Sequence, residues 1–263
     1  SFVTLMELPE MSQKEINQAV PYEARQYVPI PLTEVALDWM ILGQSLSEGG
    51  VRKNQVLLIA VPQDVLNKYY RIAQLAGLNV ASLELETIAL TRAVVAQDPT
   101  TLVLADIGAR ATNISIVDEG YVRMTRSIDT AGGDLTMVLS HGLNVSPLKA
   151  EEIKKARGIM VMPGEEEFAS LLRPMLDLII SEIQKLSELY LEKTKREVKR
   201  IVLSGGSALL PGASEYFSKE LGKETIVGNP FSNTKYDPML EPILRQLGPS
   251  LSVAIGLAMR ELL

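Results

Sequence analysis

Residues 103–112, Val-Leu-Ala-Asp-Ile-Gly-Ala-Arg-Ala-Thr, carry more potential chemistry than any other stretch of the chain. An apolar strand runs into Asp106, a glycine-bearing turn follows, and Thr112 brings a hydroxyl ahead of a second strand over 114–117. A turn of this kind aims backbone N–H groups into a concave arc, which suits a phosphate. A carboxylate at the strand end is placed to hold hydrated Mg²⁺, an ion that keeps its waters and takes few carboxylates. Two further glycine sites follow the same logic. Thr130-Ala131-Gly132-Gly133-Asp134 leads from an expected strand into an expected helix. Paired glycines there let a ligand approach the backbone, and N–H groups at a helix start favour an anion. Ser204-Gly205-Gly206-Ser207-Ala208 repeats the strand, glycine, helix order and offers a flat surface suited to a ribose or an adenine ring. Taken singly, each is equally the mark of a tight turn. Their order gives them weight together.

The elements that must position these turns are ordinary in composition. The 263 residues are 46% hydrophobic and 22% charged, enough for one large or two modest domains. With 26 Lys+Arg against 32 Asp+Glu, the net charge of −6 leaves no basic footprint for nucleic acid. Cysteine is absent, which excludes disulfides and thiolate metal sites and suits a reducing cytoplasm. His141 is the single histidine, so no histidine metal cluster can form; it lacks an acidic partner nearby in sequence and reads as structural. No apolar run is long enough to span a bilayer. Ser1 stands where an initiator methionine would, which leads us to expect a fragment of a longer chain.

The first 85 residues read as β-α-β-β-α-β. A strand ends at Pro9, and Ser12 with Glu15 forms a capping box for a helix through Tyr27, interrupted by Pro21. Strands are expected over 35–42, 55–61 and 80–85, with a polar turn over 45–54. Between the last two strands lies a helix over 63–76 with the stripe Val65, Tyr69, Ile72, Leu75, stopped by Gly77. A linking helix over 87–96, within residues 86–100, leads into strands over 101–106, 113–117 and 121–128, the last two joined at Asp118-Glu119-Gly120. Helices over 132–142 and 147–157 follow, and the run Glu165–Glu167 reads as a solvated helix approach. Leu172, Met175, Ile179, Ile183, Leu186 and Tyr190 mark one face of a long helix, a core stripe rather than a coiled-coil seam; Pro174 places its start near Ser170. A strand over 200–204, a helix over 211–221, an irregular stretch over 228–249 and a helix over 250–262 complete the chain.

An Asp-x-Gly hairpin, a Gly-Gly turn, a helix bearing Glu151 and Lys154, and a late Gly-Gly turn together resemble the layout of the actin-like, ribonuclease H-like nucleotide-binding fold. That resemblance implies a two-lobed α/β protein that binds ATP with Mg²⁺. In it Asp106, Gly108, Ala109 and Thr112 form the second phosphate loop, with Asp106 holding Mg²⁺ through water. Gly132 and Gly133 face the phosphates, Glu151 and Lys154 the nucleoside, and Gly205, Gly206 and Ser207 the adenosine. Gly256 falls on a helix like the one that hinges the lobes. The earlier segments Leu8-Pro9-Glu10-Met11, Ala19-Val20-Pro21-Tyr22-Glu23-Ala24, Gln26-Tyr27-Val28-Pro29-Ile30-Pro31 and Glu34-Val35-Ala36-Leu37-Asp38-Trp39 closely resemble the PilM family of type IV pilus assembly proteins, which is similar to the cell-division protein FtsA.

The family resemblance implies a small inserted α+β subdomain with a remnant of the first lobe over 1–85, a second lobe over 101–249 and a hinge helix over 250–263. It further implies a cytoplasmic scaffold of the pilus assembly platform. Its partner is the N-terminal cytoplasmic peptide of a PilN-like inner-membrane protein, through which it meets the membrane only indirectly, and ATP biases the angle between its lobes. Tyr22, Tyr27, Val28, Ile30 and Trp39 read mainly as subdomain core, with peptide recognition left to those that stay exposed. No residue reads as a catalytic base, so any ATPase activity is expected to be weak. An earlier Asp-x-Gly loop is missing before Ser1, so these residues alone are expected to bind ATP poorly or not at all, and submicromolar affinity by calorimetry contradicts this. The alternatives are an FtsA-like membrane-associated protein and a small-molecule kinase of the same superfamily; no sugar-binding cluster is visible for the latter.

Overall fold

The computed structural model describes residues 2–46, 50–160 and 166–261 and divides into two compact units, residues 1–83 and 84–263. In the first unit, β1 (Phe2–Pro9), α1 (Gln13–Glu23), β2 (Val35–Leu46), β3 (Arg52–Pro62) and α2 (Gln63–Leu75) follow in order. The sheet runs β1-β3-β2, antiparallel throughout, with Leu5 opposite Leu57 and Trp39 opposite Leu58. Alternation puts Met6, Leu8, Val56, Leu58 and Ala60 on one face, against Ile16 and Val20 of α1 and Ala24 just beyond it. The capping box forms as expected: Glu15 Oε2 accepts from the Ser12 N–H at 2.7 Å and Ser12 Oγ from the Glu15 N–H at 3.4 Å. Buried Asn54 donates to the carbonyls of Pro9 and Met11, which fixes the chain between β1 and α1.

Three expectations for this unit need correction. Residues 80–85 form no strand, because nothing among the described residues pairs with them. The first helix ends at Glu23 and tightens into a 3-10 turn over Ala24–Gln26 before the prolines. The stripe on α2 exists but faces solvent, with Tyr69, Ile72 and Leu75 at 57%, 63% and 79% exposure. Of the aromatic and apolar group read as core, Val28 is buried and Trp39 packs against the cluster, while Tyr22 is 70% exposed. The turn expected over 45–54 lies partly outside the described residues.

The second unit holds α3 (Glu86–Val94), β4 (Leu102–Ile107), β5 (Thr112–Asp118), β6 (Tyr121–Ile128), α4 (Gly132–Gly142), α5 (Pro147–Arg157), α6 (Glu166–Thr194), β7 (Arg200–Ser204), α7 (Ala213–Leu221), β8 (Glu224–Val227) and α8 (Glu241–Ala258). Its sheet runs β6-β5-β4-β7-β8, with β4, β7 and β8 parallel and the other pairs antiparallel. β4 is buried on both faces. Val103, Ala105 and Ile107 meet Leu135 and Leu139 of α4 and Leu172, Ile179 and Ile183 of α6. Leu102 and Leu104 meet Leu90 of α3 on the opposite face, with Val253 of α8 packed alongside. Glu119 and Gly120, both at positive φ, make the two-residue turn between β5 and β6.

Prolines mislead the reading of two helices. α6 begins at Glu166, not near Ser170, and carries Pro174 inside it on the exposed side, where a bend disturbs no core contact. α8 begins at Glu241, with Pro242 in its first turn and Pro249 inside, so residues 241–249 are helical rather than irregular. The run Glu165–Glu167 lies outside the described residues and side chains. The α3–α8 crossing is unusually close: a Cβ at Gly256 would stand 1.8 Å from the Ala89 carbonyl oxygen. Arg92 locks it, donating to the Gly256 carbonyl at 2.8 Å while paired with Glu84.

Candidate functional site

β4 delivers Asp106 to the C-terminal edge of the sheet, in register with Asn113 of β5 and Ser204 of β7. Ligands of open α/β sheets gather at such carboxyl ends. The following turn closes with the Gly108 N–H donating to the Ala111 carbonyl at 3.1 Å. Across from it, the Gly132 and Gly133 N–H groups donate to the carbonyls of Gly108 and Ala109, each at 2.9 Å. A Cβ at Gly132 would meet Ser207 Oγ at 2.3 Å, and one at Gly133 the Ala109 oxygen at 2.7 Å. Gly205, at φ +82°, comes so near that its Cβ would stand 2.7 Å from Asp106 Oδ1 and 2.5 Å from the Ile107 oxygen. The three glycine turns therefore converge on one side of Asp106. Glycine is required at 133 and 205 by close approach to backbone, not merely by flexibility, whereas the Ser207 hydroxyl facing Gly132 can turn aside.

Lys154 of α5 braces this assembly from beneath. Its buried ammonium donates to the Gly132 carbonyl and to Thr136 Oγ1, both at 2.9 Å, and pairs with Glu151 at 2.7 Å. Thr136 also hydrogen-bonds Glu151. Burial pulls the Glu151 pKa upward, but the bonds from Lys154 and Thr136 outweigh it and leave the carboxyl below its ordinary value. On the other side, Gly205 donates to the Pro249 carbonyl at 3.1 Å, tying the late glycine turn to α8. Gly206 is open by comparison, with only Ser250 Oγ at 3.4 Å from where a Cβ would stand.

The sequence-derived roles shift in detail. All of Asp106, Gly108, Ala109, Thr112, Gly132, Gly133, Lys154, Gly205, Gly206 and Ser207 belong to this one edge. However, the Gly132 and Gly133 N–H groups already have acceptors, and Asp134 accepts from the Ala131 N–H at 2.8 Å, so these donors at the start of α4 are not free for an anion as the sequence suggested. Thr112 is buried and donates to the Thr130 carbonyl at 2.7 Å, a tie from β5 to the segment between β6 and α4 rather than a free hydroxyl. Among the described residues the N–H groups of Ala109 and Arg110 at the tip of the turn keep no acceptor, as do those of Gly206 and Ser207. His141 is exposed on the last turn of α4. Thr136 escaped the sequence reading, although it lies one helical turn beyond Gly132, where the two must face the same way.

Asp106 is the electrostatic focus. Burial, and then the nearby Glu86 carboxylate, push its pKa up to about 6. No hydrogen bond offsets that burden, and a cation beside it would. Among the described residues no cluster of three acidic or histidine side chains could hold a metal ion. Because the folded-state pKa is raised, the stability from the neutral carboxyl is present in acid and is lost as pH rises towards 6. Asp106→Asn is thus expected to raise metal-free stability at pH 7.5 by about 3 kcal/mol, with the gain vanishing near pH 4. Urea melts of both proteins across that range check this. A separate hollow of about 360 Å³, lined by Ile159, Arg173, Gly212 and Tyr216 among others, contains none of these residues.

A mixed sheet with helices on both faces and glycine turns gathered at its carboxyl edge defines an actin-like protein, and the solved structures agree. MreB5 of Spiroplasma citri bound to AMPPNP matches with TM-score 0.58 at 17% identity, covering 77% of this chain and 66% of that one. The PilM-PilN type IV pilus biogenesis complex matches with TM-score 0.81 at 26% identity, covering 98% of this chain and 76% of that one. The family model described as type IV pilus assembly protein PilM matches residues 4–262, and the chain belongs to that family. Among curated relatives, cell division protein FtsA of Bacillus subtilis is 24% identical over 79% of this chain and 54% of its own length. FtsA of Pseudomonas aeruginosa is 26% identical over 95% of this chain and 66% of its own length. The chain thus spans between about half and two thirds of these relatives.

Proposed function

We propose that this chain is a nucleotide-binding scaffold of type IV pilus assembly that holds the N-terminal cytoplasmic peptide of a PilN-like inner-membrane protein. One observation carries the nucleotide half of this reading: Gly205 stands against one strand-end carboxylate, Asp106, that has no hydrogen-bond partner among the described residues, while the Gly132 and Gly133 amides hold the turn that follows it. Ala109 and Arg110 would offer N–H groups to phosphate, Asp106 would hold hydrated Mg²⁺, and Glu151, Gly206 and Ser207 would border the nucleoside. Bound Mg²⁺–ATP would supply the positive ion that Asp106 lacks and the anion that the turn amides lack. No group is placed as a catalytic base, so turnover is slow at most, and the ligand acts by favouring one conformation over another.

The partner half rests on likeness to a PilM-PilN complex over nearly the whole chain. No helix among the described residues is long and apolar enough to cross a membrane; this reading gives attachment to the inner membrane to the partner and puts this chain on the cytoplasmic side. A labelled synthetic peptide from the cytoplasmic N-terminus of a PilN-like protein of the same organism is expected to bind with about micromolar affinity by fluorescence anisotropy. A scrambled peptide should not compete. Equal binding of the scrambled peptide, or none of the native one, contradicts the assignment.

A further inference from the structure

The proposed nucleotide site poses a charge problem that the glycine turns do not solve. A triphosphate brings several negative charges to an edge that already holds Asp106 and Glu86. The donors at the start of α4, which would ordinarily face an anion, are spent on the carbonyls of Gly108 and Ala109. Lys154 is buried and its charge is matched by Glu151 at 2.7 Å. Arg92 is paired with Glu84. One cation of this edge remains: Arg110, exposed at the tip of the β4–β5 turn, with no ion pair or hydrogen bond among the described residues.

Its setting is built rather than loose. The Gly108–Ala111 bond closes the turn below it, and the Gly133–Ala109 bond anchors the preceding residue to α4. The backbone N–H groups of Ala109 and Arg110 stay free beside the side chain. A guanidinium and two adjacent amides form a set of donors matched to phosphate oxygens, and the charge-assisted bonds of arginine are the strong ones.

We infer that Arg110 is a nucleotide-specificity residue, reading the polyphosphate chain through its side chain where the glycine turns alone would read only shape. This rests on the nucleotide reading above. Arg110 then sets the preference for ATP over AMP, while the nucleoside surface of Gly206 and Ser207 contributes equally to both.

The test is a set of amide-shift titrations of wild type, Arg110→Ala and Arg110→Lys with Mg²⁺–ATP and with AMP, at low and high salt. Arg110→Ala should weaken ATP by about tenfold, leave AMP within about twofold, and flatten the salt dependence of ATP binding. Arg110→Lys should recover part of the loss, since it keeps the charge and loses the planar fork. Unchanged melting temperatures are expected because the side chain is exposed. If wild type binds ATP and Arg110→Ala binds it equally well, the inference fails and the nucleotide site stands. If wild type shows no ATP shifts at all, both fall together.

Discussion

Gly256→Ala is expected to destabilise the second unit by about 3 kcal/mol, a large effect for one added methyl group. The cause is geometric. The new Cβ would lie 1.8 Å from the Ala89 carbonyl oxygen, and backbone, unlike the end of a flexible side chain, has nowhere to swing. Relief requires α3 and α8 to part, which also strains the Arg92 bond to the Gly256 carbonyl. Because the Pro249 carbonyl of α8 holds the Gly205 N–H, the displacement should reach the candidate site. Chemical denaturation should give a lowered midpoint, and amide spectra should show shifts at Gly205 and Gly206 as well as at the crossing. A midpoint equal to wild type contradicts the packing described.

Ile183→Asp should have the greater effect, about 5 kcal/mol, and abolish the folded second unit. Ile183 is 1% exposed and sits in the cluster that joins α6 to one face of the sheet. The cluster has no partner for a carboxylate there, and most domains have only about 5–15 kcal/mol in reserve. Hydrogen exchange should show protection lost across residues 102–258, while α1 and the three-stranded sheet, which have their own core, keep theirs. A stable variant with only its assembly altered would instead make α6 an interface helix.

Much of the site could be read from sequence because strand, glycine and helix start are local patterns. Asp106 and the turns at 108, 132 and 205 needed no distant information. What escaped depends on contacts between distant segments. Whether the Gly132 and Gly133 amides are free is decided by carbonyls more than twenty residues earlier, and no periodicity reports that. The importance of Arg110 emerges only once Lys154 is known to be matched by Glu151. Pro174 and Pro249 look like helix ends, yet packing of the flanking turns carries both helices through them. Residues 80–85 have the composition of a strand, but a strand needs a neighbour. The apolar stripe of α2 was legible as a helix face, although periodicity cannot say whether anything covers it.

One edge of the five-stranded sheet, centred on Asp106, is proposed to receive a magnesium nucleotide. An amide-resolved titration of the chain with magnesium and a non-hydrolysable ATP analogue tests it most directly. The largest shifts should fall on Ala109, Arg110, Gly205 and Gly206 and be lost in Asp106→Asn. Shifts confined to residues 2–83, or none at these four positions under saturating analogue, would contradict it.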